Sequence, residues 1–192
     1  MLHLTSYNGR YCEQDFEDAL IQLFIEAGWT YTFGEDIARE KGTDVLITAD
    51  MQAYLMREYS DRLTAEEIDD VISKISLIGA ESEFATMHRI YTLLVNGWQY
   101  IRQNGEPITL HLIHFEEYKR NTFRVVNQLT IDYVNNGQRK NRRPDILLYV
   151  NGLPLCIIEL KSPSKANATI AATSRYTRAT GATYPICCIT AR

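Results

Sequence analysis

The chain lacks the features that most quickly assign a protein to a class. Its four cysteines have no Cys-x-x-Cys spacing, and Cys156 and the pair Cys187-Cys188 lie in apolar segments, so we predict small core residues in a reducing compartment. Its four histidines offer no metal pair, because His111 and His114 are three apart on a predicted strand and face opposite ways. No signal peptide or membrane span is recognisable, and we expect a cytoplasmic protein.

An excess of basic charge and a nucleotide-binding motif are also missing. The 192 residues hold 20 Lys and Arg against 24 Asp and Glu, a net charge of −4, so no overall basic character indicates nucleic-acid binding. Any contact with DNA must come from a local patch. No Gly-x-x-x-x-Gly-Lys-Ser/Thr motif occurs, since Lys161-Ser162 follows Leu160 rather than a glycine, and we recognise no ATP site.

What is present is an apolar stretch that contains charges, over residues 143–163. It predicts two nearly continuously hydrophobic strands joined by a turn at Asn151-Gly152, a pattern typical of strands covered on both faces. An ionised group in such a strand costs several kcal/mol unless a metal or an opposite charge pairs with it. This conflict between pattern and charge indicates a functional site. The charged residues within the stretch are Asp145, Glu159 and Lys161.

The length of the turn decides whether the two carboxylates share a face. A flush two-residue turn would place Asp145 opposite Ile158, and the carboxylates would then lie on opposite faces of the sheet. A three-residue connection with its glycine left-handed would instead pair Val150 with Pro154. That register sets Asp145 directly opposite Glu159. We therefore predict a bulged or longer hairpin rather than the tight primed turn that Asn-Gly suggests.

In that register two carboxylates and an ammonium group converge. Paired carboxylate oxygens suit a hard divalent cation such as Mg²⁺, with Asp145, Glu159 and the Leu160 carbonyl as its protein ligands. Lys161 alternates to the same face as Glu159 and would orient the attacking water or stabilise developing charge. The alternative is structural: Lys161 would form a buried ion pair with Asp145 or Glu159 at the end of the sheet.

Longer motifs around these residues resemble a known family of nucleases. Pro144-Asp145, the 14-residue step to Glu159 and the run Glu159-Leu160-Lys161 resemble the PD-(D/E)xK signature. Residues 123–129, 143–146 and 154–163 resemble the N-terminal nuclease domain of the restriction (R) subunit of type I restriction-modification enzymes. The resemblance implies an α/β fold with a PD-(D/E)xK restriction-endonuclease-like core, a central mixed β-sheet flanked by helices, and an additional helical segment.

The same resemblance implies an activity and partners. The activity is Mg²⁺-dependent hydrolysis of DNA phosphodiester bonds, with Asp145, Glu159 and Lys161 catalytic. The partners are double-stranded DNA and the modification and specificity subunits of a type I complex. An ATP-driven motor would lie downstream, so we expect residues 1–192 to form one nuclease domain of a longer subunit, with its helical segment over about residues 49–96. Two alternatives stay open: a catalytically silent module that docks DNA or subunits, and a stand-alone nuclease of the same fold.

Two accessory residues follow from the family pattern. Related nucleases often carry a helix glutamate beside the metal site, which points to Glu17, with Glu13 behind it. The alternative is a first helical turn whose carboxylates match the helix dipole. Related nucleases also often bear Gln-x-x-x-Tyr on the helix after the second strand. Tyr176 matches this motif, whereas Ala172 departs from it at the glutamine position; a tyrosine packed on the sheet is the alternative.

A basic segment precedes Asp145. Residues 135–143 predict a polar loop whose cations would hold DNA phosphates next to the metal, in a salt-dependent contact that does not read sequence. A solvated loop is the alternative. Arg175, on the helix predicted after Pro163, is a further predicted DNA contact. The cations of the loop are Arg139, Lys140, Arg142 and Arg143.

Hydrophobic periodicity and end signals predict the other elements. A capping box, Thr64-Ala-Glu-Glu67, opens one of the helices. Helices are predicted over residues 13–27, 50–60, 64–77 and 82–97, strands over 108–115, 122–134 and 184–190, and a loop with a short helix over 31–44. The predicted apolar face of the first helix consists of Phe16, Leu20, Leu23, Phe24 and Ala27.

Overall fold

The computed structural model describes residues 13–78, 83–135, 137–160 and 187–191. The helices in these ranges are α1 (Glu13–Glu26), α2 (Thr48–Tyr59), α3 (Ala65–Ser76) and α4 (Glu83–Asn96). The strands are β1 (Thr30–Phe33), β2 (Trp98–Ile101), β3 (Pro107–Leu110), β4 (Phe123–Asn127), β5 (Ile131–Asn135), β6 (Gln138–Arg142), β7 (Ile146–Val150), β8 (Leu153–Leu160) and β9 (Cys187–Ala191). Over the same ranges, no helix combines the length and the apolar character needed to cross a bilayer.

Five strands form a central mixed sheet in the order β1-β4-β7-β8-β9. The outer pairs β1-β4 and β8-β9 are parallel, whereas β4-β7 and β7-β8 are antiparallel. Helix α1 packs on one face through Ile21, which contacts the core residues Val125, Ile146 and Ile158. The other face packs against the segment that leads into α2, through Ile47. The prediction of an α/β fold with a central mixed sheet and an additional helical segment is confirmed.

The turn of the β7-β8 hairpin differs from the predicted one. Asn151 (φ 51°) and Gly152 (φ 80°) form a two-residue turn, and Val150 pairs with Leu153. Positive φ at both central residues is what a type I′ turn requires, and Asn-Gly adopts it at low cost. The tight primed turn is therefore present and the three-residue connection was wrong, whereas the prediction of a bulged hairpin is confirmed.

A β-bulge restores the predicted register at the open end of the hairpin. The pairing shifts by one residue between Leu148 and Tyr149, and Leu155 is the extra residue on β8. Because side chains alternate along a strand, this one residue changes which face every later side chain of β8 occupies. Beyond the bulge the ladder pairs Ile146 with Ile158, and the same register continued by one residue sets Asp145 opposite Glu159, the predicted arrangement.

The tip of the hairpin is buried against the helical segment. Asn151 is 0% exposed; its Nδ2 donates to Leu112 O (2.8 Å) and its Oδ1 accepts from Thr122 N (2.7 Å). Gly152 O accepts from Ile47 N (3.0 Å), the residue before α2. The turn therefore joins the sheet to the helices. The core that they share includes Met51, Tyr54, Leu55, Ile68, Val71, Ile75, Val150 and Leu153.

Helices α2, α3 and α4 occupy the predicted ranges to within two residues at each end. The capping box is present: Thr64 Oγ1 accepts from Glu67 N (3.2 Å), and Thr64 N donates to Glu67 Oε2 (3.0 Å). Helix α1 also forms, but it is rotated from the predicted orientation. Its buried residues are Glu17 and Ile21. Of the predicted apolar face, Leu20 and Phe24 pack against the core, whereas Phe16 and Leu23 are exposed.

The strands required four corrections. The loop predicted over 31–44 contains part of β1. The strand predicted over 108–115 ends at Leu110 and pairs with β2, which was not predicted. The strand predicted over 122–134 is two strands, β4 and β5, in different sheets, and the predicted polar loop contains β6. Strand β9 agrees with most of the last prediction, although residues 184–186 lie outside the described ranges.

Candidate functional site

Two carboxylates face each other where the β7-β8 hairpin opens. The register that pairs Ile146 with Ile158, continued by one residue, places Asp145, the residue before β7, opposite Glu159 near the end of β8. Asp145 Oδ2 accepts a hydrogen bond from Leu160 N (2.7 Å), which fixes the orientation of this carboxylate. Glu159 is buried, and Asp145 is half-buried. Directly opposed residues have Cβ atoms about 5 Å apart, so the two side chains occupy one site.

A third carboxylate, Glu17 of α1, lies at the same end of the sheet. It is 3% exposed, and its two oxygens accept hydrogen bonds from Asn127 Nδ2 (2.7 Å) and Gln128 Nε2 (2.8 Å). Tyr31 Oη donates in turn to Asn127 Oδ1 (3.0 Å). Tyr31 thus orients the amide of Asn127, and this amide in turn orients the Glu17 carboxylate. This network was not predicted beyond Glu17 itself.

The backbone at Gln128 connects the two groups of carboxylates. Gln128 adopts φ 55°, which ends β4, and its N donates to Asp145 O (3.1 Å). Its side chain at the same time holds Glu17. Gly34, after β1, allows this corner to pack, since a Cβ there would lie 2.5 Å from the backbone of Leu129 and 2.7 Å from Asn127 O.

Burial and charge both act on Glu17. Loss of solvent raises the pKa of the Glu17 carboxyl above its usual value, and the negative charge of Asp145 raises it further. The amide hydrogen bonds from Asn127 and Gln128 act in the opposite direction, but they do not cancel the effect of burial. A group that favours its neutral form beside other carboxylates also marks a place where a cation would be stabilised.

The three carboxylates reach the end of the sheet from different sides. Ile146 and Ile158 pack toward α1, so alternation directs Asp145 and Glu159 to the opposite face, while Glu17 arrives from α1. In the part of the chain that the structure describes, no three His, Cys, Asp or Glu side chains converge as a complete metal centre. The donors that fit a hard cation are two opposed carboxylates, with the Leu160 carbonyl on the same strand.

Several predicted site residues lie outside the described ranges. These are Lys161, Tyr176 and Arg175, together with Ala172. Glu13 lies in the first turn of α1, where its neighbour Asp15 adds a second acid. The buried member of this helix end is Glu17, so the accessory role assigned to Glu17 suits its position better than it suits that of Glu13.

The predicted basic loop is a β-ribbon. Strand β6 pairs with β5 in antiparallel register, and the Arg142 guanidinium lies over the Tyr133 ring at 5.5 Å. The loop prediction was wrong because β6, Gln-Arg-Lys-Asn-Arg, is entirely polar, and nothing in its composition marks a strand. The cations themselves lie where they were predicted, immediately before Asp145. Arg139, Lys140 and Arg143 are exposed, and Arg142 is half-buried.

The sequence does contain a signal for the two site residues that were not predicted, Asn127 and Gln128. Asn127 and Gln128 follow two apolar residues of β4, and an amide at the end of an apolar strand is the same conflict that identified Glu159. Their importance depends on Glu17, which is distant in sequence. Local pattern therefore does not reveal the pairing.

The chain is thus an α/β domain whose central sheet gathers carboxylates at one end, beside a basic ribbon. It belongs to the family described as Type I restriction enzyme R protein N terminus, which matches residues 10–184. The chain is 29% identical over 167 residues to the type I restriction enzyme HindI endonuclease subunit of Haemophilus influenzae. It is 32% identical over 162 residues to a Methanocaldococcus jannaschii protein named as the endonuclease subunit of the type I restriction enzyme MjaIXP.

These matches cover most of this chain and little of the relatives. They include 82% and 80% of the chain, but only 16% and 15% of the two relatives. The predicted family is confirmed, and the chain corresponds to an endonuclease-related N-terminal domain.

Proposed function

We propose that this domain is the DNA-cleaving part of a type I restriction subunit and hydrolyses phosphodiester bonds with a divalent cation. The observation that carries the proposal is the register of β7-β8, which sets Asp145 opposite Glu159 through a β-bulge. The relatives named above are endonuclease subunits. A metal-dependent nuclease of the PD-(D/E)xK type needs such a pair of carboxylates at a sheet end.

In this proposal the metal is Mg²⁺, held by Asp145, Glu159 and the Leu160 carbonyl. When bound, such a cation lowers the pKa of a water ligand and offsets negative charge on a phosphate. The Leu160 N–H keeps the Asp145 carboxylate oriented. Glu17 acts as an accessory through its position beside Asp145, and Lys161 is assigned the orientation of the attacking water. Tyr176 is assigned a positioning role, and Arg175 a DNA contact.

The larger assembly is part of the same proposal. An ATP-driven motor in the remainder of the subunit would supply DNA to this domain, and modification and specificity subunits would recognise the site. The chain spans about a sixth of the relatives, which leaves room for such a motor.

Calorimetric titration with Mn²⁺ tests the metal site directly. We expect saturable binding by the wild type that is abolished in both Asp145→Asn and Glu159→Gln, because each variant removes one of two opposed ligands. Glu40→Gln is the matched control, since it removes an exposed carboxylate on a loop. Nicking of supercoiled plasmid DNA in Mg²⁺ should follow the same order of variants. A folded wild type that binds no Mn²⁺, either alone or with a short duplex, would contradict the proposal.

One observation favours a second candidate, a nuclease-fold module that only docks DNA or subunits. Among the described residues the metal site has two opposed carboxylates rather than three convergent ligands. Such a module would bind duplex DNA without binding Mn²⁺, and its affinity for DNA would be unchanged in Glu159→Gln. The same titrations therefore separate the two functions.

A further inference from the structure

The β5-β6 ribbon, residues 131–143, carries charge of nearly one sign. It has four cations and a single carboxylate, Asp132, in a chain whose net charge is −4. Among the described residues, β5 and β6 pair only with each other. Charges on an edge strand also prevent edge-to-edge aggregation, but that purpose does not require a single sign. We call this element the basic ribbon.

The basic ribbon has a fixed base and an exposed tip. Ile131 is buried in the core that contains Leu147 and Tyr149, and Asp132 N donates to Gly42 O (2.9 Å). Toward the tip the side chains become exposed, and Val134 is 67% exposed. The base of the ribbon is therefore packed on β7, and its side chains become exposed toward the tip.

The cations are distributed over both faces of the ribbon. Lys140 pairs with Tyr133, and Arg142 lies two residues along on the same face, whereas Arg139 pairs with Val134 on the other face. The Arg142 side chain is preorganised, since its Nε donates to Tyr133 Oη (3.3 Å). A one-sided patch suits a surface laid against DNA. Cations on two faces suit an element with phosphates on both sides, which is the situation inside a groove.

The dimensions of the ribbon match the major groove. Each strand has five residues, so the ribbon is about 17 Å long. The major groove is about 12 Å wide and accepts a two-stranded β-ribbon. Asp145 follows Arg142 by three residues, which limits their Cα separation to about 11 Å. A ribbon in the groove would therefore hold the sugar-phosphate backbone of the DNA near Asp145. It would extend along about five base pairs, at roughly 3.4 Å per step.

We infer that the basic ribbon enters the major groove of duplex DNA and positions the sugar-phosphate backbone at the Asp145–Glu159 site. The inference rests on the proposed function for the identity of the site, but it makes a separate claim about binding. It assigns the contact to duplex DNA rather than to single strands.

The test is the salt dependence of binding to a duplex of about 20 base pairs in the presence of a chelator, where no cleavage occurs. The test variant is the double substitution Arg139→Gln with Lys140→Gln, at two exposed positions. We expect its dissociation constant to rise about tenfold. The plot of the logarithm of the association constant against the logarithm of the salt concentration should become less steep, its negative slope shrinking by about 2, because two phosphates are no longer neutralised by a cation.

A matched control removes two cations elsewhere. Arg62→Gln with Lys119→Gln changes the charge equally at two exposed positions outside the basic ribbon, one after α2 and one before β4. This variant should keep the wild-type slope. Equal slope changes in both variants would mean that the ribbon affects binding only through the net charge of the protein, and would overturn the inference.

Two further measurements test the groove. The wild type should bind the duplex more tightly than either of its single strands, and a ligand that occupies the major groove should displace it, whereas a minor-groove ligand should not. Equal or tighter binding to single strands, displacement only by the minor-groove ligand, or no duplex binding at low salt would each overturn the inference. Ribbon-dependent binding without Mn²⁺ binding would instead refute only the metal-dependent nuclease.

Discussion

At the scale of single residues, Glu17 is a carboxylate whose charge conflicts with its buried surroundings. Its folded-state pKa is raised, mainly by burial, so between the ordinary value of 4.5 and the raised value the folded protein holds the proton more tightly than the unfolded chain. Stability must therefore fall as pH rises through that interval. In the presence of a chelator, Glu17→Gln should gain stability relative to the wild type as pH rises from about 4 to about 7, as measured by thermal unfolding.

Glu58 provides the control of opposite sign. Burial opposes its charge, but hydrogen bonds from Arg57, His114 and Arg120 outweigh burial and hold the pKa of Glu58 below its usual value. Its contribution to stability is present above pH 4.5 and disappears as pH falls through the lowered pKa. Glu58→Gln should therefore cost most at neutral pH and least in acid. Parallel pH trends for the two variants would contradict the assignment of Glu17.

The residue scale also shows the limit of prediction from sequence. Charges inside apolar strands identified Asp145 and Glu159, since the cost of burying them needs only local pattern to be recognised. The partner of Glu17 could not be found in this way. Asn127 is 110 residues from Glu17, and only the folding of α1 onto β4 brings them together.

At the scale of elements, the turn of the β7-β8 hairpin can be tested by two glycines of the same conformation. Gly152 and Gly105 both have positive φ, at 80° and 86°. A Cβ at Gly152 would lie 2.3 Å from Ile47 O, whereas at Gly105 it would meet nothing within 4 Å. We expect Gly152→Ala to lower the free energy of unfolding by about 3 kcal/mol and Gly105→Ala by about 1 kcal/mol, measured by urea denaturation.

The difference between the two alanine variants isolates the docking of the turn on α2. Equal decreases in the free energy of unfolding would mean that backbone conformation alone sets the cost and that the contact with Ile47 contributes nothing. The Asn151 side chain also fixes the turn, because its Nδ2 donates to Leu112 O and its Oδ1 accepts from Thr122 N in the interior.

Elements were predicted where periodicity and end signals agree, and missed where they do not. The Thr64 capping box located α3 because its hydrogen bonds are local. Strand β5 was joined to β4 because the chain changes direction at Gln128, a residue that usually does not adopt positive φ. The bulge at Leu155 has no local signal either. It was inferred, in a different place, only from the need to bring Asp145 opposite Glu159.

At the scale of the whole molecule, the helical segment and the sheet share a core and should unfold together. Val150 and Leu153 of the hairpin belong to the same buried cluster as Leu55 of α2 and Val71 of α3. The two tryptophans report on the two parts. Trp29 packs between Phe24 and Phe123 beside the sheet, and Trp98 contacts Tyr100 in β2.

Single-tryptophan variants therefore test whether this is one cooperative unit. Trp29→Phe leaves the reporter in the helical part and Trp98→Phe leaves it beside the sheet, and denaturant midpoints should fall by the same amount in both backgrounds when Leu55→Ala is added. Leu55 is fully buried, so this substitution should cost about 3 kcal/mol. A shift confined to the Trp98 signal would show that the helical segment is a separate folding unit. Burial of Asn151 would then be an interdomain contact rather than the centre of one core.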